Sequence, residues 1–391
     1  MKVIVAHNRY RQGQPSGENI IVDAEINQLR AAGVEVVPLL RSSDEIATMS
    51  TVQKALLPVA PIYRGAAQRE LRELLRVHRP DLLHLHNPYP LLSPWVIRTA
   101  HAARVPVVHT VHNYRQVCAS GVYFRDGHPC TDCLGRRVGV PAVVHACYRG
   151  SRAQSAVMAT TLALHRPTWH TVDRYLALTD EIAGHLREYG VAEERIVVKP
   201  NAIDDPWPGE PPPVGDGFLY LGRLVPEKGL PLLLEAWARH PVGSLGVLRI
   251  VGDGPLRTVA EAAARQRPDV RFLGRQPPDG VRAALRDSSV LVVPSLWRDV
   301  LPTVIIEALA AGRPVLGTDR GGIPYAIGAA GWTVPATVDA LADALGPARA
   351  GAAGLAGAAR ARYTERFHPA VVTGQLIAVY RDVTGSPTAP W

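Results

Sequence analysis

The sequence predicts an α/β chain of two Rossmann-like domains, each a parallel sheet covered by helices. Three observations carry this. At 391 residues the chain exceeds what one core holds comfortably. Short apolar strands alternate with amphipathic helices, the pattern of parallel sheets covered on both faces. The alternation stops at a stretch too rich in Pro and Gly for an element interior, Pro206 to Gly217, and then restarts.

In the first half, strands are expected at Val3–Ala6, Val34–Leu39, Asp81–Leu85, Val105–Thr110, Tyr175–Leu178 and Ile196–Lys199. Asn19–Ala32 has apolar residues at helical spacing (Ile20, Ile21, Ala24, Leu29), and a further helix opens at Thr179 or Asp180, both good caps. After the Pro-rich stretch, strands are expected at Phe218–Leu221, Leu248–Val251, Val270–Leu273, Val290–Val293 and Val315–Gly317. Helices are expected over Leu230–His240 and up to Ala264, and a last one over Pro369–Thr384. The expected division is a first domain over 1–203 with a Cys-rich insert at about 113–150, a second over 204–368, and a tail at 369–391 that crosses back to the first. Ligands of such sheets sit at the carboxyl ends of the strands.

The composition is globular, 47% hydrophobic and 20% charged. The start, MKVIVAHNRY, reads as a strand and not as a signal peptide. No run approaches the roughly 18 apolar residues of a membrane span. A soluble, cytoplasmic protein is therefore expected. The net charge of +8 is uneven, because residues 1–200 carry 24 Lys and Arg against 17 Asp and Glu, and the remainder 19 against 18. A basic first half suits an anionic partner: a phospholipid surface at the inner membrane face, a phosphorylated acceptor or a diphosphate. A solvated Arg-rich face is the plain alternative. No dense Lys/Arg block interleaved with aromatics appears, so nucleic acid is not an expected partner.

The chemistry is concentrated in the second half. The segment Trp297-Arg-Asp-Val-Leu-Pro-Thr-Val-Ile-Ile-Glu307 follows a strand ending at Ser295. It carries two acids, Asp299 and Glu307, with seven residues between them. A helix opens near Pro302, and its first N–H groups, around Leu301–Val304, offer an anion site. A diphosphate there, one acid on sugar hydroxyls and the other on ribose hydroxyls make a coherent donor pocket. Arg223 and Lys228 offer a planar fork and a mobile point charge to phosphate oxygens.

Taken in order, these motifs resemble the glycosyltransferase family 4 superfamily, which has the GT-B fold: two Rossmann-like domains facing each other across a cleft. The likeness rests on the acid pair, on Leu221-Gly-Arg223 through Lys228-Gly229, on Val251-Gly252-Asp-Gly-Pro255, and on Thr318-Asp-Arg-Gly321-Gly322. It spans nearly the whole chain. One departure is that the first acid, usually Glu, is Asp299, whose carboxylate reaches about one methylene less.

The resemblance implies a retaining transfer from a nucleotide sugar, most often a uridine diphosphate sugar, with a hexosyl or N-acetylhexosaminyl group moved to an acceptor hydroxyl. It implies catalytic roles for His112, Arg223, Lys228 and Asp299. Donor contacts are implied for Ser16, Gly17, Arg223, Lys228, Gly252, Arg275, Asp299, Val300, Leu301, Pro302, Thr303 and Glu307. On the acceptor side it implies His86, Asn87, His112 and Asn113. His109 is expected to face the sheet. No Asp-x-Asp triplet suited to a donor-bound metal stands out, so no catalytic metal is expected. No carboxylate nucleophile is evident in the first-half motifs, and the family implies a front-face route without one. The acceptor stays open between a lipid-linked glycan and a small aminocyclitol or natural-product aglycone.

All four cysteines, Cys118, Cys130, Cys133 and Cys147, fall within thirty residues. Their spacing fits a structural zinc knuckle, with His128 or His145 able to replace a ligand. Unliganded thiols and disulfides are the alternatives. Among rival functions, a dinucleotide-dependent dehydrogenase predicts G-x-G-x-x-G after the first strand, which His7 to Gly17 does not supply. An epimerase-like enzyme of the same fold and a non-catalytic nucleotide-sugar binder remain as alternatives.

Overall fold

The computed structural model describes residues 1–11 and 17–385. It comprises two compact units: Met1–Tyr123 with Thr131–Ala202 and Val372–Trp391, and Phe124–Cys130 with Ile203–Val371.

The strands of the first half are β1 (Lys2–Arg9), β2 (Glu35–Ser42), β3 (Leu82–Leu85), β4 (Val107–Val111), the short antiparallel pair β5 (Phe124–Arg125) and β6 (His128–Pro129), β7 (Arg174–Ala177) and β8 (Ile196–Val198). The first unit's sheet is parallel in the order β2-β1-β3-β4-β7-β8. The chain reverses its direction of travel across the sheet between β1 and β3, which makes their carboxyl ends the ligand-binding point of this topology. The core on one face joins Val3, Val5, Val22, Ile26, Leu29, Leu82 and Leu176 to Leu376 and Tyr380 of the last helix, Pro369–Thr384.

The strand expected at Val3–Ala6 runs on to Arg9, because His7 and Asn8 are buried and bonded. Asn8 receives Leu91 N–H at its Oδ1 (3.0 Å), and its own backbone N–H donates to Asn87 O (2.7 Å).

The second unit holds β9 (Phe218–Leu221), β10 (Leu248–Val251), β11 (Val270–Gly274), β12 (Val290–Val293), β13 (Val315–Thr318) and β14 (Gly331–Val334). They form a parallel sheet in the order β11-β10-β9-β12-β13-β14, with the reversal between β9 and β12. Phe218, Tyr220, Leu233, Trp237, Leu248, Val292 and Leu345 are among its core residues.

The Pro-rich stretch is not an element, as expected, yet two arginines tie it to the second unit. Buried Arg313 donates to Pro212 O (3.1 Å) and Pro213 O (2.5 Å), and also to Leu285, Arg286 and Ala311 carbonyls. Burial without a counter-charge pulls its pKa down to about 10. Arg360 ion-pairs with Asp205 at 2.5 Å and donates to Trp207 O.

The sequence reading did not include the helices Gly65–His78, Trp95–Ala102, Arg152–Trp169, Pro278–Arg286 and Val338–Arg366, or strand β14. Val338–Arg366 is rich in Gly and contains Pro347, which hides a helix from propensity alone. Thr337 caps it by accepting Ala340 N–H at 3.3 Å, and Leu341, Leu345 and Ala348 are buried.

Candidate functional site

In the second unit, the candidate donor residues gather at the reversal between β9 and β12. The chain leaves β9 through Gly222, whose N–H donates to Val251 O (3.1 Å), and Leu224 N–H donates to Asp253 O (2.9 Å). The two loops lie so close that a Cβ on Gly252 would stand 1.9 Å from Gly222 O. Glycine is therefore required there. Gly252 N–H in turn donates to Gly274 O at 2.9 Å, one residue before the exposed Arg275.

Arg223 is exposed, with the Glu227 carboxylate 3.8 Å from its guanidinium. Lys228 forms an ion pair with Asp299 and lies 5.4 Å from the ring centroid of Trp297. The cation expected on phosphate and the acid expected on sugar thus hold each other. Asp299 is buried, and its carbonyl accepts Gly322 N–H at 2.6 Å. Gly321, at φ +57°, presses so tightly on this loop that a Cβ would stand 2.3 Å from Asp299 O. Strand β12 stops at Val293, two residues short of the expected Ser295, which is instead held by Thr318 Oγ1 donating to its carbonyl at 2.6 Å.

After Asp299 come buried Val300, Leu301 and Pro302, and then the helix Thr303–Ala310, as the acid-pair segment suggested. Glu307 lies on that helix. Burial pushes its carboxyl up to about 7, with no cation beside it among the described residues. Such a group is short of hydrogen-bond donors and gains from any hydroxyl brought to it.

In the first unit, the carboxyl ends of β1, β3 and β4 bring five histidines together. His86 Nδ1 lies 2.8 Å from His112 Nε2, and the two rings stack at 5.2 Å. His7 bonds Asn19 Oδ1 at 3.0 Å. His84 is bonded on both ring nitrogens, to Thr110 Oγ1 (2.8 Å) and to the Tyr380 hydroxyl (2.6 Å). His109 faces the sheet as expected, bonded to Leu85 O (2.9 Å) and tilted on Trp169 at 4.8 Å. A small pocket is lined by Glu18, His86, His112, Asn113, Arg115 and Trp169, among others. Burial, joined by neighbouring His86, pulls the pKa of His7 down to about 3 and that of His112 well below the usual range. Burial also raises Glu18 to about 7, against the pull of Arg115 and the Tyr10 hydroxyl.

Asn87 is placed beside His86, but its amide is spent on the backbone. Its Nδ2 donates to Asn8 O (3.1 Å) and its Oδ1 accepts Tyr89 N–H (3.0 Å). Asn113 Oδ1 accepts Arg115 N–H at 3.1 Å, a turn-closing bond. Gly17 opens the first helix, and Ser16 lies outside the described residues.

Glu25, His84 and Lys199 were not singled out in the sequence. Lys199 Nζ lies 2.8 Å from Glu25 Oε2, and Glu25 Oε1 lies 3.3 Å from His84 Nδ1 and 3.2 Å from His86 Nε2. The signal was present: Glu25 falls on the apolar face formed by Ile21, Val22, Ile26 and Leu29. A carboxylate on that face needs a buried partner.

The cysteines do not assemble as expected. None is in a disulfide, and all four are half-buried. Among the described residues no three Cys or His ligand atoms of the insert come within 4.8 Å of one another; the one group that does is Glu25, His84 and His86.

Comparisons with known proteins bear on the family and the fold. The family description "Glycosyltransferase Family 4" matches residues 16–206, and "Glycosyl transferases group 1" matches residues 215–347. The phosphatidyl-myo-inositol mannosyltransferase of Mycobacterium leprae is 26% identical over 387 residues, covering 92% of this chain and 91% of that protein. The D-inositol 3-phosphate glycosyltransferase of Corynebacterium efficiens is 26% identical, covering 81% of this chain and 77% of that one. Among solved structures, HepE of Anabaena in complex with UDP and glucose superposes with a TM-score of 0.64 at 14% identity, covering 98% of this chain and 100% of that one. That last likeness speaks to the fold, which is GT-B.

Proposed function

This chain is a glycosyltransferase, family 4 in its first half and group 1 in its second, and we propose that it is a retaining enzyme using a uridine diphosphate sugar. The group moved is a hexosyl or N-acetylhexosaminyl residue. The acceptor is a ring hydroxyl of an inositol-like cyclitol in lipid-linked form. The names of the two inositol-directed relatives support the acceptor class, and the UDP and glucose held by HepE support the donor.

The observation that carries the reading is the cluster of Lys228, Asp299 and the start of the helix Thr303–Ala310 at the second sheet's reversal point. A diphosphate arriving there competes with Asp299 for Lys228. Arg223 adds a second cation, and the helix N-terminus adds N–H donors. Asp299, released from the lysine, is then free to accept sugar hydroxyls, while Glu307 accepts from the ribose. As the bond from the anomeric carbon to the diphosphate oxygen breaks, these cations stabilise the departing charge. The acceptor oxygen bonds to the same face of the anomeric carbon, and its proton passes to the departing phosphate oxygen. On the first unit, the proposed role of His112 is to accept a hydrogen bond from an acceptor hydroxyl.

The basic run of the first unit supports contact with a membrane. No acid occurs between Cys133 and Val172, while Arg136, Arg137, Arg149 and Arg152 are exposed. Val138, Val140 and Val144 stand among them, 44%, 56% and 56% exposed. Basic groups around apolar ones suit an anionic lipid surface.

Incubation with a panel of nucleotide sugars and inositol-containing acceptors tests the transfer. Nucleoside diphosphate release that needs both a sugar nucleotide and an acceptor, with the donor's anomeric configuration kept in the product, is the expected result. An inverted product or a trapped covalent glycosyl-enzyme would overturn the front-face reading. Release of a free epimerised sugar would move the protein to another reaction class.

A further inference from the structure

A line of four side chains runs through the first unit. Lys199 Nζ lies 2.8 Å from Glu25 Oε2, Glu25 Oε1 lies 3.2 Å from His86 Nε2, and His86 Nδ1 lies 2.8 Å from His112 Nε2. Lys199, Glu25 and His86 are buried, and His112 is half-buried at the end of the line. Glu25 Oε1 and His86 Nε2 are buried polar atoms that no aligned hydrogen bond satisfies; they face each other at 3.2 Å, and His84 Nδ1 lies 3.3 Å from the same oxygen. We propose that Glu25 is a positioning residue which, through His86, fixes the tautomer of His112 so that its Nδ1 is bare and accepts a hydrogen bond from a substrate hydroxyl. This rests on the role given to His112 above.

The chemistry leaves little freedom. An ionised carboxylate only accepts, so the proton between Glu25 and His86 sits on His86 Nε2. Burial alone would keep Glu25 protonated, but the ammonium of Lys199, with His84 and His86, overrides it and holds the carboxyl well below its usual range. Lys199 already balances that charge. A second cation on His86 would then lie in the protein interior without a counter-charge. In the proposed arrangement the proton of His86 is on Nε2, its Nδ1 is bare, and the hydrogen in the 2.8 Å contact belongs to His112 Nε2. His112, itself kept neutral by burial, is left with an unprotonated Nδ1. A ring set this way can receive a hydroxyl hydrogen bond and cannot give one.

The same atoms could be read as a metal site, since Glu25, His84 and His86 offer ligand atoms within 4.8 Å of one another. Lys199 on the carboxylate, with Tyr380 and Thr110 on the two nitrogens of His84, occupies the positions a divalent cation needs. A relay uses every contact as it stands.

Glu25→Gln makes a sharp test. Lys199 keeps an oxygen at the place of Oε2, so the amide NH₂ must face His86 Nε2. A donor then replaces an acceptor, and the polarity of the line reverses: His86 carries its proton on Nδ1, and His112 on its own Nδ1. Two-bond ¹⁵N–¹H correlation spectra of the labelled full chain read both histidines directly. The native protein is expected to show His112 protonated on Nε2, and Glu25→Gln to show it protonated on Nδ1. The kcat for transfer should fall about 10- to 100-fold in the variant, the usual scale for groups that orient a functional histidine, with UDP affinity unchanged. His86→Phe keeps a ring stacked on His112 without either nitrogen, and it provides the test where Glu25→Gln folds poorly. Its His112 should show a mixture of tautomers. A native His112 protonated on Nδ1, or a tautomer that neither substitution moves, overturns the proposal. A tautomer that reverses with no change in transfer rate upholds the relay and removes His112 from the proposed transfer instead.

Discussion

Glu307 is the residue at which the donor reading meets pH. Burial pushes its carboxyl up to about 7, well above the usual carboxylate range. In the proposed contact, ribose hydroxyls bind the ionised form, so donor binding is coupled to loss of that proton. As pH falls through about 7, UDP affinity should drop, by up to about tenfold per unit at the acid limit. Titrations at pH 6 and pH 8 check this, and Glu307→Gln should abolish the difference. An affinity that is flat across this range in the native protein would contradict the contact. The two acids and Lys228 were legible in the sequence because their spacing is local. That Asp299 would be found holding Lys228 was not, because the two are 71 positions apart and meet only through the pairing of β9 with β12. Glu25 and Lys199 are 174 positions apart, and each looks ordinary in its own segment.

At the scale of elements, the loop carrying Asp299 is shaped from outside by Gly321. Its φ of +57° and the 2.3 Å between a built Cβ and Asp299 O leave no room for a side chain. Gly321→Ala should cost about 1–3 kcal/mol in thermal stability and displace Asp299, weakening the donor more than the fold. Melting curves with and without UDP separate the two, because the ligand-induced rise should shrink in the variant. An unchanged rise would show that the loop position does not matter to the donor. Strands such as Phe218–Leu221 and Leu248–Val251 were readable to the residue, since buried parallel strands are short apolar runs. Arg152–Trp169 and Val338–Arg366 were not, because Pro167, Pro347 and the glycines mask helices that tertiary packing sustains.

At the scale of the whole molecule, the two units should answer acid differently. Burial lowers the pKa of His7 and His109 to about 3 and pulls those of His84 and His112 well down. In the unfolded chain these groups bind protons from about pH 6.5 downward, while the folded unit refuses them. The unfolded state then holds more protons, so stability falls as pH falls, by about 1.4 kcal/mol per pH unit for each histidine. The first unit should therefore melt at lower temperature at pH 5 than at pH 7, and a single coincident melt at both values would contradict this. The basic surface makes a second prediction. Co-sedimentation with phosphatidylglycerol vesicles should exceed that with phosphatidylcholine, fade in high salt, and be lost in Arg136→Glu with Arg137→Glu. Equal binding to both vesicle types would remove the anionic surface from the account.

The central claim is that the reversal point of the second sheet binds the nucleotide diphosphate. Calorimetric titration of the full chain with UDP tests it most directly. The account predicts saturable binding in the native protein and in Glu25→Gln, with a loss of at least about tenfold in Lys228→Ala, where a charge-assisted phosphate contact is removed. Binding of UDP that is unaffected by Lys228→Ala and by Glu307→Gln would place the nucleotide elsewhere and contradict the account.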